Sequence, residues 1–397
     1  MNRLAFLTAA TALAAAGVYA APANKGANPP PPIATYWMDV STSSGMGAGM
    51  MGGSGGRPDM GQIMAMMNGG GSAVSHSLGL TLASRDKSAA PEADHLVPSA
   101  LQMGPSLPLI APERVREEPT TGMPANFQRP KGRMLIYWGC GEHAGAGQPT
   151  VIDFAKVGAG QMPPGMAQLT NMAHMVRRPN SAPGFGEWPN RQDSRAVPAA
   201  GSLVGSHKVE ANYAPPIGFT LNAGQDFMPG LGLSEAGAMP SGAVRLRWRP
   251  ATQATGYALA MFGAAENGDV VMWSSGRGFP ALDFLTPSEV RRLIAAGQVL
   301  SSSTSECLVP AEVASASPAG MVTMIGYGPE ADFSDNPKAP KWVAKVRYKT
   351  TASLIRGMGE MGAGDSEQMQ TRKPEQPAKK KKKRFGLGDL LGGAIPH

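Results

Sequence analysis

The chain has 397 residues, a formal charge of +7, 51 glycines and 36 prolines. Glycine and proline together exceed a fifth of the residues, which approaches low-complexity composition and argues against a compact enzyme fold throughout. Six of the cations lie in one run, Lys379 to Arg384, so the rest of the chain is near neutral. A nucleic-acid-binding fold would carry such charge on its folded surface.

Residues 1–20 read as a cleaved secretory signal. Arg3 provides the positive start, Leu4 to Ala16 the apolar stretch, and Val18-Tyr19-Ala20 the small-residue cleavage site. No cysteine sits near that site, which argues against a lipoprotein anchor. No later stretch reaches the roughly 18 apolar residues of a membrane span. The mature chain is therefore expected to be exported, without a transmembrane segment. It would be periplasmic or extracellular, and peripheral to a membrane where its tail meets one. Length leaves room for two or three domains.

Residues 21–32 form a Pro-rich lead. A first β domain is expected over 33–158, with a Gly/Met-rich insertion at 45–71 and a Pro-rich, charged one at 104–132. Eight methionines fall between Met38 and Met67. Soft thioethers in an exported protein suit Cu(I), and the candidate ligands are Met60, Met64, Met66, Met67 and His76. The competing reading is methionine as an adaptable apolar residue, and the irregular spacing favours it. The stretches GAGMMG (47–52) and GGSGG (52–56) imitate a dinucleotide fingerprint and a serine elbow. Neither follows a strand, and both are read as composition.

The stretch MLIYWGCGEH, Met134 to His143, offers the most chemistry. A Cys140 nucleophile would need a base with an orienting partner, and His143 follows in a loop with none evident. A structural zinc site wants four ligands at recognisable spacings, and His76, His95, His174, His207 and His397 are scattered. GCGEHA fits G-x-G-x-x-A after a strand, but GAGQP follows and cannot start the helix that motif requires. The remaining reading is structural. Cys140 and Cys307 are the two cysteines of an exported chain and are expected to pair; two buried free thiols are the alternative.

Residues 159–202 read as a linker. A second β-sandwich domain is expected over 203–352. VRLRWR (Val244–Arg249) alternates with the period of a half-buried strand. GYALAMF follows, then Asn267-Gly268 as a hairpin signal, then VVMWSSG. MVTMIGYG and KWVAKVRYK complete the strands. Tyr257, Leu259 and Met261 share a face, as do Trp342, Ala344, Val346 and Tyr348. Trp248 and Tyr257 are expected in the core. Arg245, Arg247 and Arg249, and separately Lys341, Lys345, Arg347 and Lys349, are expected on solvated faces of different sheets. One helix interrupts the strands: Thr286 caps it, Pro287 opens it, Glu289 closes a capping box, and Val290, Leu293 and Ile294 form its buried stripe. Gly297 ends it.

Short matches recur in order along the two halves. HLVPSAL (95–101) resembles CLVPAEV (307–313), and YWGCGE (137–142) resembles IGYGPE (325–330). Five such matches suggest two related β domains, with Cys307 opposite His95, so that a Cys140–Cys307 bridge would join the two. The segment VRLRWRPATQATGYALAMF (244–262) resembles strands B and C of immunoglobulin-like and fibronectin type III sandwiches, where a Trp-bearing strand precedes A-x-x-Y-x-L/V. The resemblance implies a sandwich, from which the helix departs, and it implies no activity.

Residues 353–397 read as a disordered tail. Its cations Lys379, Lys380, Lys381, Lys382, Lys383 and Arg384 precede Phe385, Leu387, Leu390 and Leu391. Such a run can bind an anionic surface or simply keep the chain soluble. The expectation is thus a mainly β protein: two β-sandwich-like domains, one short helix, low-complexity linkers and a cationic tail. Its expected role is non-enzymatic binding or scaffolding at the cell envelope, without a cofactor. The tail would contact lipid phosphate or polysaccharide, and another envelope protein is a further partner. The alternatives are a periplasmic copper-binding protein and a hydrolase without a recognisable motif.

Overall fold

The computed structural model describes residues 30–45, 74–112, 132–154, 156, 182–278 and 283–357. The expected signal, residues 46–71 of the Gly/Met-rich insertion and the polybasic run lie outside the described residues.

The chain is mainly β. A ten-stranded sheet forms the base of the fold. Its centre is the antiparallel set β12 (Gly256–Ala264), β13 (Val270–Ser274), β16 (Gly320–Ser334) and β17 (Trp342–Arg356). On one side β1 (Ala34–Gly45) lies parallel to β17 and leads outward to β2 (Val74–Ser84) and the edge strand β7 (Gly184–Trp188). On the other, β5 (Arg133–Trp138) lies parallel to β13 and leads to β6 (Thr150–Asp153). The short β14 (Leu300–Ser301) pairs with the start of β12.

Two smaller sheets accompany this base. One has the order β4 (Ser106–Pro108), β3 (Ala93–Leu96), β8 (Gly205–Ala211), β9 (Ile217–Leu221). The other has the order β10 (Ser234–Ala238), β11 (Val244–Arg247), β15 (Glu306–Val309). The apolar faces of all three sheets meet in one continuous core. Tyr36, Met38 and Val40 alternate into it from β1, Leu78, Leu80 and Leu82 from β2, and Tyr257, Leu259 and Met261 from β12. Each such side chain removed from water contributes roughly 1.5–3 kcal/mol, which is why strict alternation sets the face of a strand.

Chain order and sheet order therefore differ from the expected two domains. Strands of 33–158 flank strands of 203–352 within one sheet, and the four-stranded sheet takes two strands from each span. Both spans contribute strands to the ten-stranded base sheet. The segment 159–202 is also more than a linker, because β7 pairs with β2 inside it. Its glycines permit this: a Cβ on Gly184 would fall 2.5 Å from the Tyr213 ring. The Pro-rich stretch after 104 contributes β4 and a bridge from Ile110 to Glu187.

Helix α1 (Pro287–Ala295) has the expected ends. The Thr286 hydroxyl accepts from Glu289 N–H, and the Glu289 carboxylate accepts from Thr286 N–H. Val290 and Leu293 are buried against Ala258, Ile325 and Tyr327 on the second face of the base sheet. A second helix, α2 (Ala311–Ala316), follows β15. The short matches at 95 and 307 have a structural counterpart: β3 and β15 are each followed within two residues by a proline, Pro98 or Pro310, that caps a short helical turn. The Asn267-Gly268 turn joins β12 to β13, with Gly268 at φ +86° donating its N–H to the Ala265 carbonyl.

Candidate functional site

Three polar constellations stand out among the described residues. The first is the loop after β5. Gly139 leaves the strand at φ +98° and accepts from the Trp273 indole at 2.9 Å. Cys140 is disulfide-bonded to Cys307 on β15, across 167 positions of sequence. The adjacent groups fasten the same loop to the same element. Gly141 N–H donates to the Leu308 carbonyl, and Ala311 N–H donates to the Glu142 carbonyl. His143 Nδ1 lies 3.0 Å from Glu312 Oε1, and Ala144 N–H donates to Glu312 Oε2 at 2.8 Å. These contacts lower the Glu312 carboxyl from its usual range, the Ala144 hydrogen bond first. Cys140, Glu142 and His143 thus act as a clamp between β5 and the β15–α2 segment. With the sulfur bonded, no thiolate is available as nucleophile or ligand. The residues after Gly141 are bends and turns, so the dinucleotide fingerprint fails on context.

The second constellation is on the other face of the base sheet. Asp39 and Arg347 are register partners on β1 and β17. Arg347 Nε donates to Asp39 Oδ1 and Nη2 to Oδ2, both at 2.7 Å. The guanidinium lies 4.3 Å from the Trp37 ring centroid and 4.9 Å from that of Phe284. Lys349 sits over Phe284 at 4.4 Å and 3.6 Å from Asp283. Lys345 bridges Glu330 and Asp332 at 2.8 and 2.7 Å. Burial raises the Asp39 carboxyl from its usual range, and the Arg347 bonds oppose that. The expectation of a solvated stripe fails here: Arg347 is only 9% exposed, because the 283–284 segment covers it. On β11 and just after it the arginines divide. Arg247 pairs with Glu306, Arg249 is exposed, and Arg245 is half-buried with Nη2 3.1 Å from the Met239 sulfur. On β17 the cations Lys345, Arg347 and Lys349 each meet a carboxylate, whereas Lys341, just before the strand, is exposed as expected.

The third is a buried chain that sequence separation concealed. Tyr36 on β1 bonds His95 on β3, which bonds His207 on β8, and all three are fully buried. The histidines therefore are not all scattered. The readable signal was position: His95 alternates with Ala93, and His207 with Val209, on the inward face of each strand.

Of the candidate copper ligands, Met60, Met64, Met66 and Met67 lie outside the described residues. His76 is on β2, its ring stacked on Phe227 at 3.9 Å, with Nδ1 lacking a hydrogen-bond partner. No group of three or more His, Cys, Asp or Glu side chains is arranged to hold a metal among the described residues. Lys379, Lys380, Lys381, Lys382, Lys383 and Arg384 lie outside the described residues. No helix among the described residues is long and apolar enough to cross a membrane. Shallow clefts are found among the described residues. One, of about 420 Å³, lies over Gly218 between Ser206, Lys208 and Thr220; another, of about 300 Å³, lies between Ser44, Val74, Gly230 and Arg249. Neither converges on paired acid and base groups.

Comparison of the chain with protein-family models, with curated proteins and with solved structures finds no match.

Proposed function

We propose that the protein is an exported binding or scaffolding component of the cell envelope, and that its cationic tail contacts an anionic surface. The observation that carries this reading is the distribution of charge. Within the fold, Arg133, Arg195, Lys208, Arg247, Lys345, Arg347 and Lys349 each lie within 4.0 Å of a carboxylate. Exposed pairs of this kind add little stability, but they cancel the local field. The unbalanced positive charge is then concentrated in Lys379 to Arg384, six consecutive cations in a chain of formal charge +7. A compact cationic run attracts lipid phosphate or acidic polysaccharide by about 1 kcal/mol per cation near the surface. The disulfide between Cys140 and Cys307 supports the oxidising compartment that the N-terminal signal implies. The clamp at Cys140 and the paired network at Arg347 read as structural elements of a binding module.

Fractionation of the native host tests the proposal. Full-length protein should sediment with envelope material and be released by raised salt. A chain lacking 373–397 should appear in the soluble fraction at low salt. Retention of the truncated chain with the envelope would overturn the reading.

A further inference from the structure

The buried Tyr36–His95–His207 chain has one direction of donation. His207 Nε2 is 2.7 Å from the Leu203 carbonyl, which can only accept, so Nε2 carries the proton. Neutral His207 then accepts at Nδ1, where His95 Nε2 donates across 3.0 Å. His95 Nδ1 in turn accepts from the Tyr36 hydroxyl at 2.7 Å. Every polar atom of the three side chains is satisfied while both rings are neutral.

The chain crosses from one layer to another. Tyr36 belongs to the ten-stranded sheet, and His95 and His207 to the four-stranded one. Phe219 of β9 stacks on His207 at 5.2 Å and on Phe333 of β16 at 5.1 Å, which seals the joint. The titratable groups of the joint are Tyr36 from β1, His95 from β3 and His207 from β8, and beside it the Asp226 carboxylate accepts from the Ser202 hydroxyl and from the N–H of Leu203, whose carbonyl holds His207. The charged residues of those strands face other partners: Asp39 is held by Arg347, Asp94 by Ser106, and Lys208 and Glu210 by each other. On β16 and β17, Glu330 and Asp332 are held by Lys345, and Lys349 faces Asp283.

A further proton fits only if the Tyr36 hydroxyl turns round. On His95 Nδ1, or on His207 Nδ1 with the chain reversed, the added N–H ends on the Tyr36 oxygen, and the phenol hydrogen loses the acceptor it has in the neutral chain. An imidazolium is then left among fully buried side chains with no carboxylate bonded to it, where an unpaired charge is costly.

We propose that the Tyr36–His95–His207 chain is an acid-operated latch, which holds the four-stranded sheet on the ten-stranded sheet at neutral pH and releases it when an imidazole is protonated. The latch is independent of the tail. Burial pushes both imidazoles below their usual value, His95 the further, with His207 adding to the effect. On release each returns to about 6.5. The released state then binds more protons below that pH. The latch is fully engaged above about pH 6.5 and weakens as pH falls.

Hydrogen exchange of the full-length oxidised protein from pH 7.5 to 4.5, corrected for intrinsic exchange chemistry, tests this. The opening constant of Ala93–Leu96, Gly205–Ala211 and Ile217–Leu221 should rise about 10- to 100-fold per pH unit below about 6.5, for one or two protons taken up. β12 and β16 should keep their protection. Equal protection of the four-stranded sheet at pH 5 and 7.5, or loss of all sheets in one step, would overturn the latch. His95→Gln/His207→Gln keeps a donor and an acceptor at each position without titrating, and its four-stranded sheet should open independently of pH. An unchanged pH response there would overturn it too. If that variant does not fold, imidazole nitrogen shifts of the wild type decide. Both rings should hold the proton on Nε2 at pH 7.5 and protonate together with opening; protonation near pH 6.5 without opening contradicts the proposal.

Discussion

Replacing Trp248 by alanine tests whether the base sheet and the β10–β11–β15 sheet share a packed core. Trp248 follows β11 and is 5% exposed. Its ring meets Tyr257 edge-on at 5.7 Å, and Tyr257 is fully buried with its hydroxyl accepting from Ala251 N–H. Deleting a core aromatic costs about 3–5 kcal/mol, as transfer plus cavity. Here one feature reduces the loss. The indole Nε1 is buried without a hydrogen-bond partner, an unmet donor that costs the fold on the order of 1–3 kcal/mol. Its removal offsets part of the cavity, so the expected loss is near the lower end, about 3 kcal/mol. Trp248→Phe keeps most of the apolar contact and removes the orphan N–H, so it should lose less than about 1.5 kcal/mol. Urea denaturation of the oxidised protein measures both, with an unchanged slope if the denatured states are alike. A loss under about 1 kcal/mol for the alanine variant, or a phenylalanine variant weaker than the alanine one, would refute the reasoning.

Other outcomes are expected. Alkylation of the unfolded protein without reductant should leave both Cys140 and Cys307 unmodified, and reduction should lower stability by about 2–4 kcal/mol, since the bridge closes a long loop. Labelling of both thiols before reduction would contradict that assignment. Asp39→Ala leaves the Arg347 guanidinium between Trp37 and Phe284 without its carboxylate. Because Asp39 is partly exposed, the loss should be about 1–3 kcal/mol, below that for a fully buried pair. Arg347→Met added to that variant should recover part of it, and thermal melts that show the double variant as the weaker would contradict the pairing.

Strand faces were legible in the sequence because alternation reports burial directly. Tyr257, Leu259 and Met261, and likewise Trp342, Ala344, Val346 and Tyr348, all enter the core. The ends of α1 were legible because a capping box is a local exchange of hydrogen bonds. Neighbours in a sheet are another matter. Alternation says which way a side chain points and is silent on which strand lies beside it. The parallel pairings of β1 with β17 and of β13 with β5, which thread one half of the chain around the other, leave no local trace. The same reason hid the His95–His207 contact, made across 112 positions. β7 resembles linker in the sequence because Gly184 and Gly186 break its pattern, although those glycines let it lie against Tyr213 and Leu109. Alternation alone puts Arg347 in solvent because its cover, Phe284, comes from a distant loop.

The measurement that bears most directly on the proposed function is co-sedimentation of the mature chain with vesicles of phosphatidylglycerol and phosphatidylcholine, with and without residues 373–397. At low salt the full-length chain should bind the anionic vesicles, and deletion should weaken binding more than about 100-fold, since six cations each contribute about 1 kcal/mol near the surface. Salt should mimic the deletion, because exposed charges are screened beyond about 8–10 Å at physiological ionic strength. Replacement of Phe385, Leu390 and Leu391 by serine should weaken binding only in part. Equal binding of the full-length and truncated chains at low salt would contradict the account and move the search for a binding surface to the sheets.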